Sequence, residues 1–227
     1  MTNNGTPNGI SLESTDQLLS TTRSVRRKLD LERPVEPEVL EECLQLAIQA
    51  PSPGNSQQWR WIVVRDQDTK NKLGKIFREV GEDYLKSKMD EAGEAAKQGQ
   101  VARTFASGQY LIDNIERVPA FVIPCIQGKP SGDNGALSVF YGGIFPAVWS
   151  FQLALRSRGL GSTLTSYHLE HEAEAAEILG IPDNVTQVGL LPVAYTTVST
   201  FKPAPRTPIE EISYLDSWGK PLTKKLS

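Results

Sequence analysis

The chain has 227 residues, 39% of them apolar and 22% charged, with a formal charge of −3. That balance belongs to a soluble globular protein able to bury one large core, and length alone does not demand two domains. The slight acidic surplus argues against a nucleic-acid binder, which shows a basic excess. Residues 1–14, rich in Asn, Gly, Ser and Thr, read as a disordered tail with no apolar signal core. A short helix is expected from Asp16 to Arg23. Pro37 suits the first turn of the next helix, and Val39, Leu40, Cys43, Leu44 and Ala47 then fall at helical spacing. Trp59 to Val64 is strand-like, and Thr69 to Tyr84 reads as a helix. From Leu85 to Val118 the pattern decays into charged, Gly- and Gln-containing sequence, compatible with exposed helix and expected as a mobile excursion over a site rather than part of the core.

Ala120 to Ile126 reads as a strand, and Pro124 within it predicts an edge position or a bulge. The most apolar helix candidate runs from Leu137 to Arg158. Gly142, Gly143 and Pro146 disturb its first part and point to a regular start near Pro146, with Gly159 as its stop. His171 to Leu179 is a further helix ended by Gly180, and Val188 to Tyr195 a strand interrupted by Gly189 and Pro192. Residues 201–227 are proline-rich and too poor in apolar groups to fold alone, so they must dock on something. No apolar stretch reaches about 18 residues, which predicts no membrane span and a cytoplasmic protein. Cys43 and Cys125, the only cysteines, sit in apolar runs and read as small buried hydrophobes rather than a disulfide framework.

Three stretches carry polar groups in patterns suited to a ligand. Arg23 and Arg26, with Ser24 between them, lie where a helix ends, and two planar guanidinium forks so placed can converge on one phosphate. The same run also reads as a solvated basic face. The loop Ala50-Pro51-Ser52-Pro53-Gly54-Asn55-Ser56-Gln57-Gln58-Trp59 joins a helix to a strand. Its prolines and glycine fix the backbone, while Asn55 and Gln57 present amides that both donate and accept, as recognition of a flat heterocycle requires. An ordinary connector is the alternative. The third stretch, Gly159 to His168, places Ser162, Thr163, Thr165 and Ser166 after two glycines, where backbone N–H groups can approach a ligand; it also reads as a plain turn. His168 and His171 lack a third ligand at suitable spacing, so no metal site is expected. The chain has no Gly-x-Gly-x-x-Gly after a strand, no Walker loop and no Gly-x-Ser-x-Gly elbow.

In order along the chain, Thr22-Arg23-Ser24-Val25-Arg26, the Pro-Ser-x-x-Asn-x-Gln-x-Trp loop and the tail Arg206-Thr207-Pro208-Ile209-Glu210-Glu211 resemble the FMN-dependent nitroreductase family over residues 16–212. The first residue of the first motif is an arginine in that family and Thr22 here. The resemblance implies an α+β fold, a central mixed sheet surrounded by helices in an intertwined homodimer. One domain would span residues 15–200, and the extension 201–227 would dock on the partner subunit. It implies FMN held by Arg23, Ser24, Arg26, Pro51, Ser52, Pro53, Asn55, Gln57, Thr163, Leu164, Thr165 and Arg206, with a main-chain N–H of the 163–165 group at flavin N5. The implied chemistry is ping-pong hydride transfer from NAD(P)H through N5 to a small aromatic acceptor such as a nitroaromatic or quinone, with no catalytic side chain. Reductive dehalogenation, fragmentation of the flavin itself, and a non-enzymatic FMN sensor or store are the alternatives within reach of the same motifs.

Overall fold

The computed structural model describes residues 9–222, so residues 1–8 of the tail expected at 1–14 and the end of the C-terminal extension lie outside the described residues, while Leu12 to Ser14 are helical and not part of a disordered tail. The first helix, α1, is Leu12–Thr21 and starts four residues before the position expected from sequence. The Ser11 hydroxyl accepts from the Ser14 N–H and supplies its cap. In α2, Pro37–Ala47, the proline occupies the first turn, and Leu40, Cys43 and Ala47 are buried. Strand β1 is Trp59–Val64 and lies at the sheet edge. The Asp66 carboxylate then caps α3, Gln67–Ala92, by accepting from both the N–H and the hydroxyl of Thr69.

The stretch from 85 to 118 is helical, as its pattern allowed, but its second half is not exposed and belongs to the core. Helix α3 continues to Ala92, and α4 spans Gly99–Asn114. Leu85, Leu111, Ile112, Ile115 and Val118 are all buried. The expectation of an excursion outside the core is therefore corrected for these residues. Its source is the use of glycine at the helix contact: a side chain at Gly81 would collide with Ile112, and one at Gly108 would press on Leu85. Glycine at the interface lets two backbones approach while diluting the apolar pattern that marks a core helix.

Strand β2, Ala120–Gln127, is central, not an edge. It pairs antiparallel with β1 on one side. On the other side two short strands share its length: β5, Leu191–Tyr195, at Ala120 to Val122, and β4, Val185–Gln187, at Cys125 to Gln127. Pro124 falls between these two pairings, and its carbonyl, on that side, accepts from the Val188 N–H. Because N and O of one strand residue point to the same side, the missing proline donor faces the junction between β5 and β4 and interrupts neither ladder. Strand β3, Leu160–Ser162, completes the order β1-β2-β5-β3, again antiparallel. Among the described residues every ladder is antiparallel; the parallel pair of a mixed sheet is not supplied by this chain's own described strands.

Alternation along β2 divides the core. Ala120, Val122 and Ile126 face a cluster built with α2 and α6, while Phe121, Ile123 and Cys125 face α3, α4 and α7. Helices thus cover both faces of the sheet, and the fold is α+β. Cys43 and Cys125 lie in opposite layers, each a free thiol, and burial raises them to about 11 and about 12. The apolar stretch after β2 breaks into α5, Asn134–Gly142, and α6, Phe145–Ser157, with Pro146 in the first turn of α6. Contrary to the expectation from sequence, residues 134–157 together are apolar and long enough to cross a bilayer. The break between the two helices and the burial of Ala147, Val148, Phe151, Ala154 and Leu155 make α6 a core helix of this fold. Gly159, at φ 77°, ends it in the left-handed region. Helix α7 is Glu172–Leu179, stopped by left-handed Gly180, and α8 is the short Ile209–Ile212.

Candidate active site

The polar motifs meet because the chain between α1 and α2 runs beside β3. The Val25 N–H donates to the Ser162 carbonyl at 2.9 Å, Leu29 bridges to Thr196, and the Asp30 N–H reaches the Tyr195 carbonyl at 2.8 Å. Gly161 makes this possible. A Cβ there would sit 2.9 Å from Val25 Cβ and 2.8 Å from Thr196 Cγ2. The two distant motifs are therefore held together by a backbone approach that only glycine permits.

Beyond β3, Leu164 and Thr165 line a cavity of about 250 Å³ with Arg26 in its wall. Thr163 is fully buried and its hydroxyl has no hydrogen-bond partner. The Thr165 N–H donates to the Leu190 carbonyl and the Leu190 N–H returns the bond, so the Thr165 N–H is already taken by this bridge. Among the three candidate N–H groups, this leaves those of Thr163 and Leu164. Val80, Tyr84 and Leu111 from α3 and α4 close the opposite wall, and Tyr167 stands beside them. The Tyr84 and Tyr167 rings are 5.4 Å apart between centres, and Phe77 meets Tyr167 edge-on at 5.0 Å. An outer cavity of about 560 Å³ shares Arg26, Tyr84, Gly108 and Tyr167 and adds Phe105, Lys88 and Glu91. Sequence reading passed over Tyr84, Phe105 and Tyr167, since nothing local marks residues that meet only through the packing of α3 on α4.

Arg26 is half-buried, and no described carboxylate forms an ion pair with it. Burial lowers its pKa, an effect that Tyr167 partly offsets. The same burial raises Tyr167, with Tyr84 adding to the rise and Arg26 opposing it. Glu170 also lines this cavity but forms no ion pair with Arg26, so the guanidinium, partly dry and walled by aromatic rings, keeps its donors for an electron-rich or anionic group.

The two motif arginines do not share a cavity, although their spacing predicts convergence on one phosphate. Arg23 is exposed and donates from Nη1 to the Lys202 carbonyl at 3.4 Å, beside a separate small depression next to Gly161 and Ser162. Ser24 is exposed between the two. The loop Pro51 to Gln57 lies outside the Arg26 cavities. Asn55 and Gln57 both adopt left-handed backbone, φ 52° and 48°, and the Gln57 amide donates to Asn55 Oδ1 at 2.9 Å. Ser52 Oγ accepts from the Gln57 N–H and shapes the turn. Two exposed non-glycine residues in that region are a strained arrangement of the kind found at ligand sites. Arg206 is exposed and bonds only to the neighbouring Pro205 carbonyl, so it is not brought to Arg23; Lys202 is.

His168 is fully buried, neither ring nitrogen makes a hydrogen bond, and burial lowers its pKa to about 4, with Gln187 offsetting a part. It stands in the core beneath the site as a neutral imidazole. Among the described residues no three His, Cys, Asp or Glu side chains cluster as a metal site would require.

The nitroreductase family profile matches residues 19–195, and the chain belongs to that family of flavin oxidoreductases. An NADH dehydrogenase/NAD(P)H nitroreductase of Archaeoglobus fulgidus is 28% identical over 186 residues, covering 81% of this chain and 86% of that protein. The iodotyrosine deiodinase of Nematostella vectensis is 28% identical over 199 residues, covering 85% of this chain and 72% of the relative. Among solved structures, oxidised iodotyrosine deiodinase bound to FMN and 3-iodo-L-tyrosine superposes with a TM-score of 0.60 at 19% identity, over 83% of this chain and 92% of that one. At such identity the superposition shows the shared fold. FMN binding is typical of the family, and Arg26, without an ion pair among the described residues in its aromatic-walled cavity, and the amide-bearing loop fit a flavin's phosphate-bearing, heterocyclic chemistry.

Proposed function

We propose that the protein is an FMN-dependent NAD(P)H oxidoreductase that reduces flat aromatic acceptors, nitroaromatics or quinones, in a ping-pong cycle. The observation that carries this reading is Arg26, half-buried and not ion-paired among the described residues, in the aromatic-walled cavity beside Leu164 and Thr165. Bound FMN supplies the hydride-accepting and hydride-donating centre. Arg26 places positive charge in the cavity, where it favours a ring that gains electron density. The N–H groups of Thr163 and Leu164 are the donors for the ring edge. Tyr84, Phe105 and Tyr167 present aromatic faces to a planar acceptor and keep water from it. Arg23, Ser24 and the basic tail hold the phosphate. Protons come from solvent, and no side chain acts as acid.

The functional unit in this reading is a homodimer. The loop 51–57 carries amides and strained backbone yet lies outside its own chain's cavity, which supports its use at a second copy. Leu46 of α2, Ile48 just after it, Val139 of α5, and Phe145 and Trp149 of α6 are exposed apolar groups of the same layer. The tail, with Ile209, Ile212 and Trp218 exposed, is the segment proposed to dock there.

Acid release of the chromophore is expected to give FMN, and anaerobic NADH or NADPH is expected to bleach the flavin absorbance, with recovery on adding a nitroaromatic. Release of FAD sinks the cofactor assignment; bound FMN that neither nucleotide bleaches favours a store or sensor. A second reading, reductive dehalogenation, is favoured by the Lys88–Glu91 ion pair, 2.7 Å, which lines the outer cavity beside Tyr84. That pair offers both charges to an amino-acid zwitterion. Iodide release from 3-iodo-L-tyrosine by the reduced protein, faster than nitroaromatic turnover, would select it.

A further inference from the structure

A dianionic phosphate monoester is held best by more than one guanidinium. Where the family motif begins with arginine this chain has Thr22, leaving Arg23 as the one motif arginine beside the Gly161–Ser162 depression. The structure brings a different arginine to that place. Arg156, in the last turn of α6, lines the same depression as Arg23, Thr22, Gln152 and Ser162.

Neither Arg23 nor Arg156 pairs with a carboxylate among the described residues. Each makes one long contact with the segment crossing the depression: Arg23 Nη1 with the Lys202 carbonyl and Arg156 Nη2 with the Ser199 carbonyl, both at 3.4 Å. Arg156 Nε is buried with no partner at all, and the guanidinium stands 5.2 Å from the centre of the Phe201 ring. On its far side Arg156 also lines a cavity of about 400 Å³ with Ser14, Gln17, Ser157 and Ser199, hydroxyls and an amide without a carboxylate.

We propose that Arg156 is the second guanidinium of a phosphate-monoester site formed with Arg23, and that it stands in for the arginine absent at Thr22. The proposal rests on the FMN reading above, with the flavin's 5′-phosphate as the occupant. Two guanidinium groups at one depression repel each other until an anion joins them. The contacts at 3.4 Å lie at the outer limit of a hydrogen bond, whereas N–H donors to a phosphate oxygen settle at about 2.7–2.9 Å and are roughly twice as strong as neutral pairs. The depression holds only about 10 Å³ as it stands, so an oxyanion enters by displacing the overlying Ser199 and Lys202 carbonyls, whose contacts with the two arginines are long. The oxyanion satisfies the orphaned Nε.

The test is flavin titration of the flavin-free protein, following fluorescence, with FMN and with riboflavin, which lacks the phosphate. Arg156→Gln is expected to weaken FMN about ten- to hundred-fold while riboflavin stays within about twofold, and Arg156→Lys to recover part of the loss. A parallel measurement uses the unmutated protein and so does not depend on a variant folding: FMN is expected to shield Arg156 from phenylglyoxal, read by mass spectrometry, and riboflavin is not. Unchanged FMN affinity in Arg156→Gln, equal loss for both flavins, or equal shielding by both overturns the proposal while leaving the FMN reading intact. An unmutated protein that binds neither flavin overturns both.

Discussion

Arg23 and Arg26 are three residues apart, yet they serve two cavities, and this separates their expected effects. Arg23 faces the basic tail, so Arg23→Ala should weaken FMN about ten- to hundred-fold and riboflavin little, the loss of one charge-assisted contact. Arg26 faces the aromatic cavity, so Arg26→Ala should weaken both flavins alike. Competitive binding of the two flavins decides it; a phosphate-selective loss in Arg26→Ala would place that residue at the phosphate instead. The arginines were legible in the sequence as an anion-binding pair. Their divergence was not, because it depends on which side of β3 each side chain emerges. His168 makes a pH-dependent prediction. Its folded pKa of about 4 lies below the ordinary 6.5, so the unfolded chain binds more protons between those values. Stability is therefore full above about pH 6.5 and falls on acidification toward pH 4, by about 3 kcal/mol in total. Urea unfolding from pH 7 to 4.5 should show this slope in the unmutated protein and a flatter one in His168→Gln. Equal slopes would mean that carboxylates carry the acid sensitivity.

The elements themselves were read from local signals where those signals were complete. Pro37 opened α2, Pro146 opened α6, and Gly159 and Gly180 closed two helices, each through a backbone property of the residue itself. The misreadings share one cause. Pro124 and the Leu85 to Val118 stretch depend on partners far away in the chain: the junction of β4 and β5 in one case, the glycine-mediated contact of α3 with α4 in the other. Gly161 is the element-scale counterpart at the site, since it lets residues 22–26 lie against β3. Gly161→Ala must push apart Val25 and Thr196 and is expected to cost about 1–3 kcal/mol of stability, as overpacking typically does. Because the displaced segment carries both motif arginines, FMN affinity should fall with it. Denaturant unfolding and flavin titration of the same variant check both effects. A variant as stable as the parent that binds FMN unchanged would show that the close approach is not required.

The assembled molecule is the scale at which the sequence was least explicit, because a surface and a core helix can carry the same residues. The sequence pattern puts Val148, Trp149 and Leu153 together as a face too apolar for a monomer, but the fold divides them. Val148 is buried in its own chain, Leu153 is half-buried, and Trp149 remains 42% exposed. Trp149 shares its layer with exposed Phe145, Val139, Leu46 and Ile48, and Trp218 in the tail is 89% exposed. Exposed aromatic and aliphatic groups so grouped are what a second copy would cover. In a dimer joined through this face, Trp149→Glu buries a carboxylate without a partner, which typically costs several kcal/mol. In a free monomer it places a charge on a half-open surface and costs little. Sedimentation of the unmutated protein should therefore show a dimer, and Trp149→Glu a monomer or aggregate that has lost FMN, because the 51–57 loop is proposed to reach the partner's cavity. An unmutated protein that sediments as a monomer with full FMN occupancy would sink the shared-cavity arrangement. The argument from Arg23, Arg26 and the 163–165 turn would survive that outcome, since every residue in it belongs to one chain.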